Sequence, residues 1–127
     1  MARVLGIGLF MMATDPKVLG EWYGRVLGLN LQAWNGVAFD PKIMAARPNA
    51  SQILSFFNKG SDYIKPSTRE FMLNMCVDDL DGVLARAHEH GVDPMWRDDE
   101  DPNGKFAHIL DPEGTKIELW EPKKVES

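Results

Sequence analysis

Alternation of apolar and polar positions is clearest near the C-terminus, over residues 106–110 and 115–120. Successive strand residues point to opposite faces, so Ile109, Ile117 and Leu119 share one face while His108, Lys116, Glu118 and Trp120 share the other. Between the two runs, Asp111-Pro112-Glu113-Gly114 predicts a tight turn. Proline presets the backbone at the second position, and Gly114 tolerates a positive φ. The hairpin therefore has one plain core face and one face carrying an imidazole, a carboxylate and an indole.

Helical periodicity occurs twice. Val18, Leu19, Trp22, Val26 and Leu27 form one apolar stripe, with Thr14 or Asp15 as cap, Pro16 in the first turn and Gly28 at the end. Leu80, Val83, Leu84 and Ala87 form a second, opened by Asp78-Asp79 and closed by Gly91. Around the first helix, residues 3–13, 29–34, 37–39 and 52–57 read as strands, although Gly6 and Gly8 weaken the first. Asn35-Gly36 marks a hairpin, and residues 40–50 are irregular or a short helix after Asp40-Pro41. Around the second helix, residues 71–77 and 92–96 read as strands, followed by an acidic loop (residues 98–101) and the hairpin. The order strand, helix, strand, strand, strand thus recurs with a period of about 63 residues. The chain divides into modules 1–58 and 69–122 joined by a Gly-, Ser- and Pro-bearing linker, residues 59–68, within a single domain.

Bulk properties narrow the classes. A chain of 127 residues with net charge −5 and no basic cluster argues against nucleic acid or an anionic membrane as partner. The single cysteine, Cys76, excludes an internal disulfide and suits a reducing, cytoplasmic setting. The apolar run after Arg3 has signal-peptide length but leads straight into a helix start, so it reads as a buried first strand.

In this order the motifs resemble the vicinal oxygen chelate superfamily, which includes glyoxalase I, bleomycin-resistance proteins and extradiol dioxygenases. The matching residues are Asp15-Pro16, Glu21-Trp22-Tyr23 and Val26-Leu27-Gly28, then Val77-Asp78-Asp79-Leu80-Asp81 and Gly91-Val92, then Asp111-Pro112-Glu113-Gly114 and Ile117-Glu118-Leu119-Trp120-Glu121-Pro122. The chain is most similar to bleomycin-resistance-like members. The resemblance implies an α+β fold: two βαβββ modules forming a curved mixed sheet around a cavity, helices on the outside, and a homodimer.

The metal-dependent members place ligands on the first and last strands of each module. Of the four positions only Glu118 carries one; Gly8, Met72 and the neighbourhood of Leu54 or Ser55 do not, and no histidine lies within residues 1–87. A catalytic zinc or iron needs about three protein ligands. With His108 the sole neighbour for Glu118, no metal and no other cofactor is expected. Face alternation places Phe10, Phe56, Met72, Asn74 and Phe106 with Trp120 on the concave side, and Trp34 and Trp96 at its rim. These residues suit a small aromatic or amphipathic organic ligand. Two readings stand: a metal-free binding protein, or a lyase or isomerase using Glu118 and His108 as acid and base, with a dioxygenase- or glyoxalase-like metalloenzyme of atypical ligands as its variant. In an apolar pocket, desolvation would raise the Glu118 pKa.

Overall fold

The computed structural model describes residues 1–124. Helix α1 (Pro16–Leu27) begins where Asp15 accepts a hydrogen bond from the Val18 amide and ends at Gly28, whose φ of 71° places it in the left-handed region. A short helix, α2 (Pro41–Ala45), is capped by Asp40. The second half contributes β1 (Leu73–Cys76), α3 (Leu80–Glu89), β2 (Trp96–Asp101), β3 (Gly104–Leu110) and β4 (Lys116–Pro122). Helix α3 starts at Asp79, which accepts from the Gly82 amide.

The four strands form one sheet in the order β1-β4-β3-β2. β1 runs parallel to β4, whereas β3 is antiparallel to both β4 and β2. Helix α3 makes the crossover that the parallel pair requires. The result is a mixed α+β fold whose second half follows the strand, helix, strand, strand, strand order. Its core lies on one face of the sheet, where Ala107, Ile109, Ile117 and Leu119 meet Leu19, Val26, Leu80 and Leu84 of the two long helices.

The hairpin turn is a polar junction as well as a bend. The Asp111 carboxylate is buried and accepts from the Glu113 amide at 2.8 Å, the Thr115 amide at 2.9 Å and the Tyr23 hydroxyl at 2.8 Å. Glu113 in turn accepts from the Thr14 and Asp15 amides at the entrance to α1. Helix α1, though it belongs to the first half of the chain, is thereby fastened to the sheet of the second.

Two expectations are revised. The segments 3–13, 29–34, 37–39 and 52–57 carry no strand ladder and run as irregular backbone. Only their ends, at Met11, Ala13, Leu29 and Leu31, pack against the core beside α1, and no second strand lies alongside to form a ladder. The Asn35-Gly36 signal does yield a turn, with the Gln32 amide bonded to the Gly36 carbonyl and Asn35 at φ 62°. The second revision concerns the acidic run. Residues 98–101 belong to β2 and are no loop, and the strand expected at 92–96 begins only at its last residue. β2 is an edge strand, where charged side chains are accommodated and discourage further pairing.

Substituting Tyr23→Phe removes one of three donors from a buried carboxylate. It should cost about 1–3 kcal/mol of unfolding free energy. Urea denaturation of the two proteins, with unchanged m-value, measures it.

Candidate functional site

Strand register sets the site. Asn74 on β1 lies opposite Glu118 on β4, Glu118 opposite His108 on β3, and His108 opposite Trp96 on β2. Four side chains therefore form one row across the open face of the sheet, turned away from the helices. The next row pairs Cys76 with Trp120, Trp120 with Phe106 and Phe106 with Asp98. The Phe106 and Trp120 rings stack with centroids 6.2 Å apart. Trp120 is buried and its indole N–H donates to the Asn103 carbonyl, so it acts as floor.

Glu118 is the hub. Its side chain accepts from Asn74 Nδ2 at 2.8 Å on Oε1, and from His108 Nε2 at 2.8 Å and the Tyr63 hydroxyl on Oε2. Burial pushes its pKa up, but the hydrogen bonds from His108, Tyr63 and Asn74 more than offset this, so the carboxyl is held below its ordinary range. The rise expected from desolvation is thus overturned: an apolar setting raises a carboxyl only where donors do not converge on it. Glu118 is an ionised acceptor near neutrality. An ionised carboxylate only accepts, so His108 Nε2 carries the proton between them.

Two further residues complete the site. Tyr63 comes from the linker, where a lone aromatic among Ser, Asp, Lys and Pro was the only available signal. Its hydroxyl lies 3.4 Å from His108 Nε2 and its ring stacks on Phe57. Burial and the Glu118 hydrogen bond push its phenol well above the usual value. Lys116, on the same face of β4 as Glu118, donates from Nζ to the Tyr63 and Lys65 carbonyls and fixes the linker over the sheet. Burial pushes its pKa down, partly countered by Glu118.

Beside this row opens a depression of about 470 Å³ lined by Tyr63, Pro66, Met95, Trp96, His108 and Lys116. The Trp96 and His108 rings lie 4.5 Å apart at its wall. Glu118 lies behind Tyr63 and does not line it. Of the aromatic residues expected around a cavity, Trp96 reaches this depression. Met72, Phe106 and Trp120 are partly or wholly buried outside its lining. Phe10 (97% exposed), Phe56 (88%) and Trp34 (65%) lie on the segments that lack a ladder and do not reach it. Trp34 folds back over its own turn instead, close enough to Gly36 that a Cβ there would overlap the ring. A second depression, of about 530 Å³, lies among those segments, between Leu5, Ile7, Phe39, Met44 and Leu54.

The donor set does not suit a catalytic metal. Among the described residues no group of three or more His, Cys, Asp or Glu side chains converges, and Glu118 and His108 are joined by an amide and a phenol that present hydrogens. Burial pushes the Cys76 thiol up, with the Ser51 amide and Arg47 acting against it, which disfavours a thiolate nucleophile.

Because the folded-state pKa of Glu118 is depressed, its contribution to stability is present above the ordinary carboxyl value of 4.5 and is lost as pH falls through the lower folded value. Glu118→Gln should therefore be less stable than the wild type at pH 7, by about 1–3 kcal/mol. The gap should close as pH falls below 4.5 and through the lower folded value, as read from paired thermal melts.

Comparison with known proteins fits this architecture. A structure of an antibiotic-binding protein, TnmS3 from Streptomyces sp. CB03234, is 22% identical over 97% of this chain and all of that one, with a TM-score of 0.60. A glyoxalase/bleomycin resistance protein from Catenulispora acidiphila DSM 44928 is 36% identical over 41% of this chain and 47% of that one, about half its length, with a TM-score of 0.37. TioX from Micromonospora sp. ML1 is 17% identical over 91% of this chain and 94% of that one, with a TM-score of 0.47. No curated protein matches the sequence. Among the described residues no helix is long and apolar enough to cross a membrane. Residues 8–120 match the model of the glyoxalase-like domain, and the chain belongs to that family within the vicinal oxygen chelate superfamily.

Proposed function

We propose that the protein is a metal-free binder of a small aromatic or amphipathic organic molecule, held in the depression beside the Asn74–Glu118–His108–Trp96 row. The observation that carries this reading is the depression walled by the Trp96 and His108 rings, behind which three side-chain donors hold Glu118 ionised and so unsuited to act as a general acid. Trp96 and His108 supply flat surfaces for a ring. Antibiotic binding by TnmS3, a protein of similar fold, agrees with a small-molecule guest.

The same reading gives the unladdered segments a role. Leu5, Phe10, Leu54 and Phe56 are left on the surface. In the proposed homodimer these exposed apolar side chains would be covered by the partner.

A second reading draws on the 2.8 Å contact between His108 and Glu118. With Nε2–H committed to the carboxylate, Nδ1 is the basic nitrogen. His108 would be the base of a lyase or isomerase and Glu118 its orienting anion.

A thermal-shift screen with ring-bearing compounds decides whether a guest exists, since a ligand that prefers the folded state raises the melting temperature. Hits are expected, and Trp96→Ala should weaken each by about fivefold, roughly 1 kcal/mol of stacking. Absence of any hit in folded, metal-free preparations of both the wild type and Tyr63→Ala refutes the binder. Turnover of a hit that disappears in His108→Ala would establish the enzyme instead. A divalent ion at one equivalent after purification without chelator would overturn the metal-free assignment. Light scattering should return twice the monomer mass.

A further inference from the structure

Tyr63 reaches the Glu118 row from outside the sheet. It comes from a segment of successive turns, with hydrogen bonds from Ser61 to Asn58, Lys65 to Asp62 and Ser67 to Ile64. Its backbone is pinned, because Lys116 Nζ donates to the carbonyls of Tyr63 and Lys65. Its side chain remains 38% exposed, yet the hydroxyl reaches past the rim to Oε2 of a carboxylate that is only 8% exposed. The ring stands edge-on to His108 at 5.4 Å and stacks on Phe57 at 5.1 Å. A phenol is thus already bound: hydroxyl on an ionised acceptor, ring against an imidazole and an aromatic face.

Resting on the reading of this depression as a binding site, we infer that Tyr63 is a built-in stand-in for the guest, and that the guest is a hydroxyaromatic compound whose phenol displaces it from Glu118. The chemistry is selective. A carboxylate deprived of a donor in a nearly closed setting is penalised, so an incoming ring must bring a hydroxyl to replace the one it removes. Asn74 and His108 keep their bonds throughout, because they occupy positions fixed by strand register. The moving part is the Tyr63 side chain, since its backbone is anchored. Resting closure scales the apparent affinity down to the fraction of molecules in which the ring has swung out.

The test uses isothermal titration of 2-naphthol and of 2-methoxynaphthalene, which has the same rings and no donor. Four proteins are compared: wild type, Tyr63→Phe, Tyr63→Ala, and Tyr63→Ala with Glu118→Gln. If the open form is near the upper end of ordinary minor-state populations, about 10%, Tyr63→Ala should bind 2-naphthol about tenfold more tightly than wild type. Tyr63→Phe, which keeps the ring and loses the bond to Glu118, should gain less. The preference for 2-naphthol over its methyl ether should persist in Tyr63→Ala and vanish once Glu118 is also replaced.

Weaker 2-naphthol binding in both Tyr63→Phe and Tyr63→Ala, with native circular dichroism, would make Tyr63 a fixed wall of the site and overturn the inference. Equal affinity for the two probes in Tyr63→Ala would overturn the hydroxyl readout. If other ring compounds stabilise the wild type while neither naphthalene binds any variant, the inference fails and the binding reading stands. If no ring compound stabilises the wild type yet 2-naphthol binds Tyr63→Ala, closure by Tyr63 is supported directly. If nothing binds any variant, both readings fall.

Discussion

Everything distinctive in this molecule follows from the placement of β4. It is the one strand whose neighbours include both the parallel β1 and the antiparallel β3, and all of its residues are buried. Period-two alternation then sends Ile117 and Leu119 towards the helices and Lys116, Glu118 and Trp120 to the opposite face. A shift of one residue in either pairing would exchange these sets, driving a carboxylate and an ammonium into the aliphatic core. The stability of the core and the chemistry of the open face are therefore selected by the same register. The polar junction at Asp111 adds a second lock, since it joins the turn before β4 to Tyr23 on α1.

On that open face, burial has opposite outcomes. For Cys76, desolvation prevails, and the thiol is pushed up. For Glu118, desolvation is larger than any single opposing cause, yet three converging donors together reverse it. The difference lies in what the neighbouring strands and the linker offer. Asn74 and His108 stand opposite Glu118 in register, and Tyr63 arrives from above. Cys76 has aromatic neighbours in its row, and the Ser51 amide and Arg47 do not suffice to reverse its desolvation. Charge state here is decided by the supply of hydrogens and not by depth.

Local signals were legible wherever one residue type has one physical job. Asp15 and Asp79 cap their helices, Gly28 takes the left-handed conformation at a helix end, and Asp111 to Gly114 make the turn. Face assignment from alternation was equally legible across the second half. The first-half strands were not, because a strand is a property of a pair: residues 3–13 and 52–57 have strand composition, but composition does not supply a ladder partner. The β2 boundary was misread for a related reason. An acidic run suggests a loop, yet an edge strand tolerates it, with Arg97 bridging Asp81 and Asp99 beside it. Tyr63 was invisible because turn-rich composition describes the backbone of a linker and says nothing of where its one aromatic ring lands.

The family assignment settles the fold and leaves the chemistry to be argued from the site. The resemblance implies that metal-dependent members of the superfamily place a ligand at the position of Glu118. In those sites a carboxylate would be joined by groups presenting lone pairs. Here its partners present hydrogens: an amide N–H, an imidazole N–H and a phenol O–H. Donors converging on a point create a positive potential there and satisfy the anion without a cation. A divalent ion approaching Glu118 would have to break these bonds and would find two neighbours, the amide nitrogen and the protonated ring nitrogen, with nothing to offer it. A guest that brings a hydrogen-bond donor exchanges like for like. On the proposed reading, this row would receive a hydroxyl at the strand position where the resemblance implies an ion in other members.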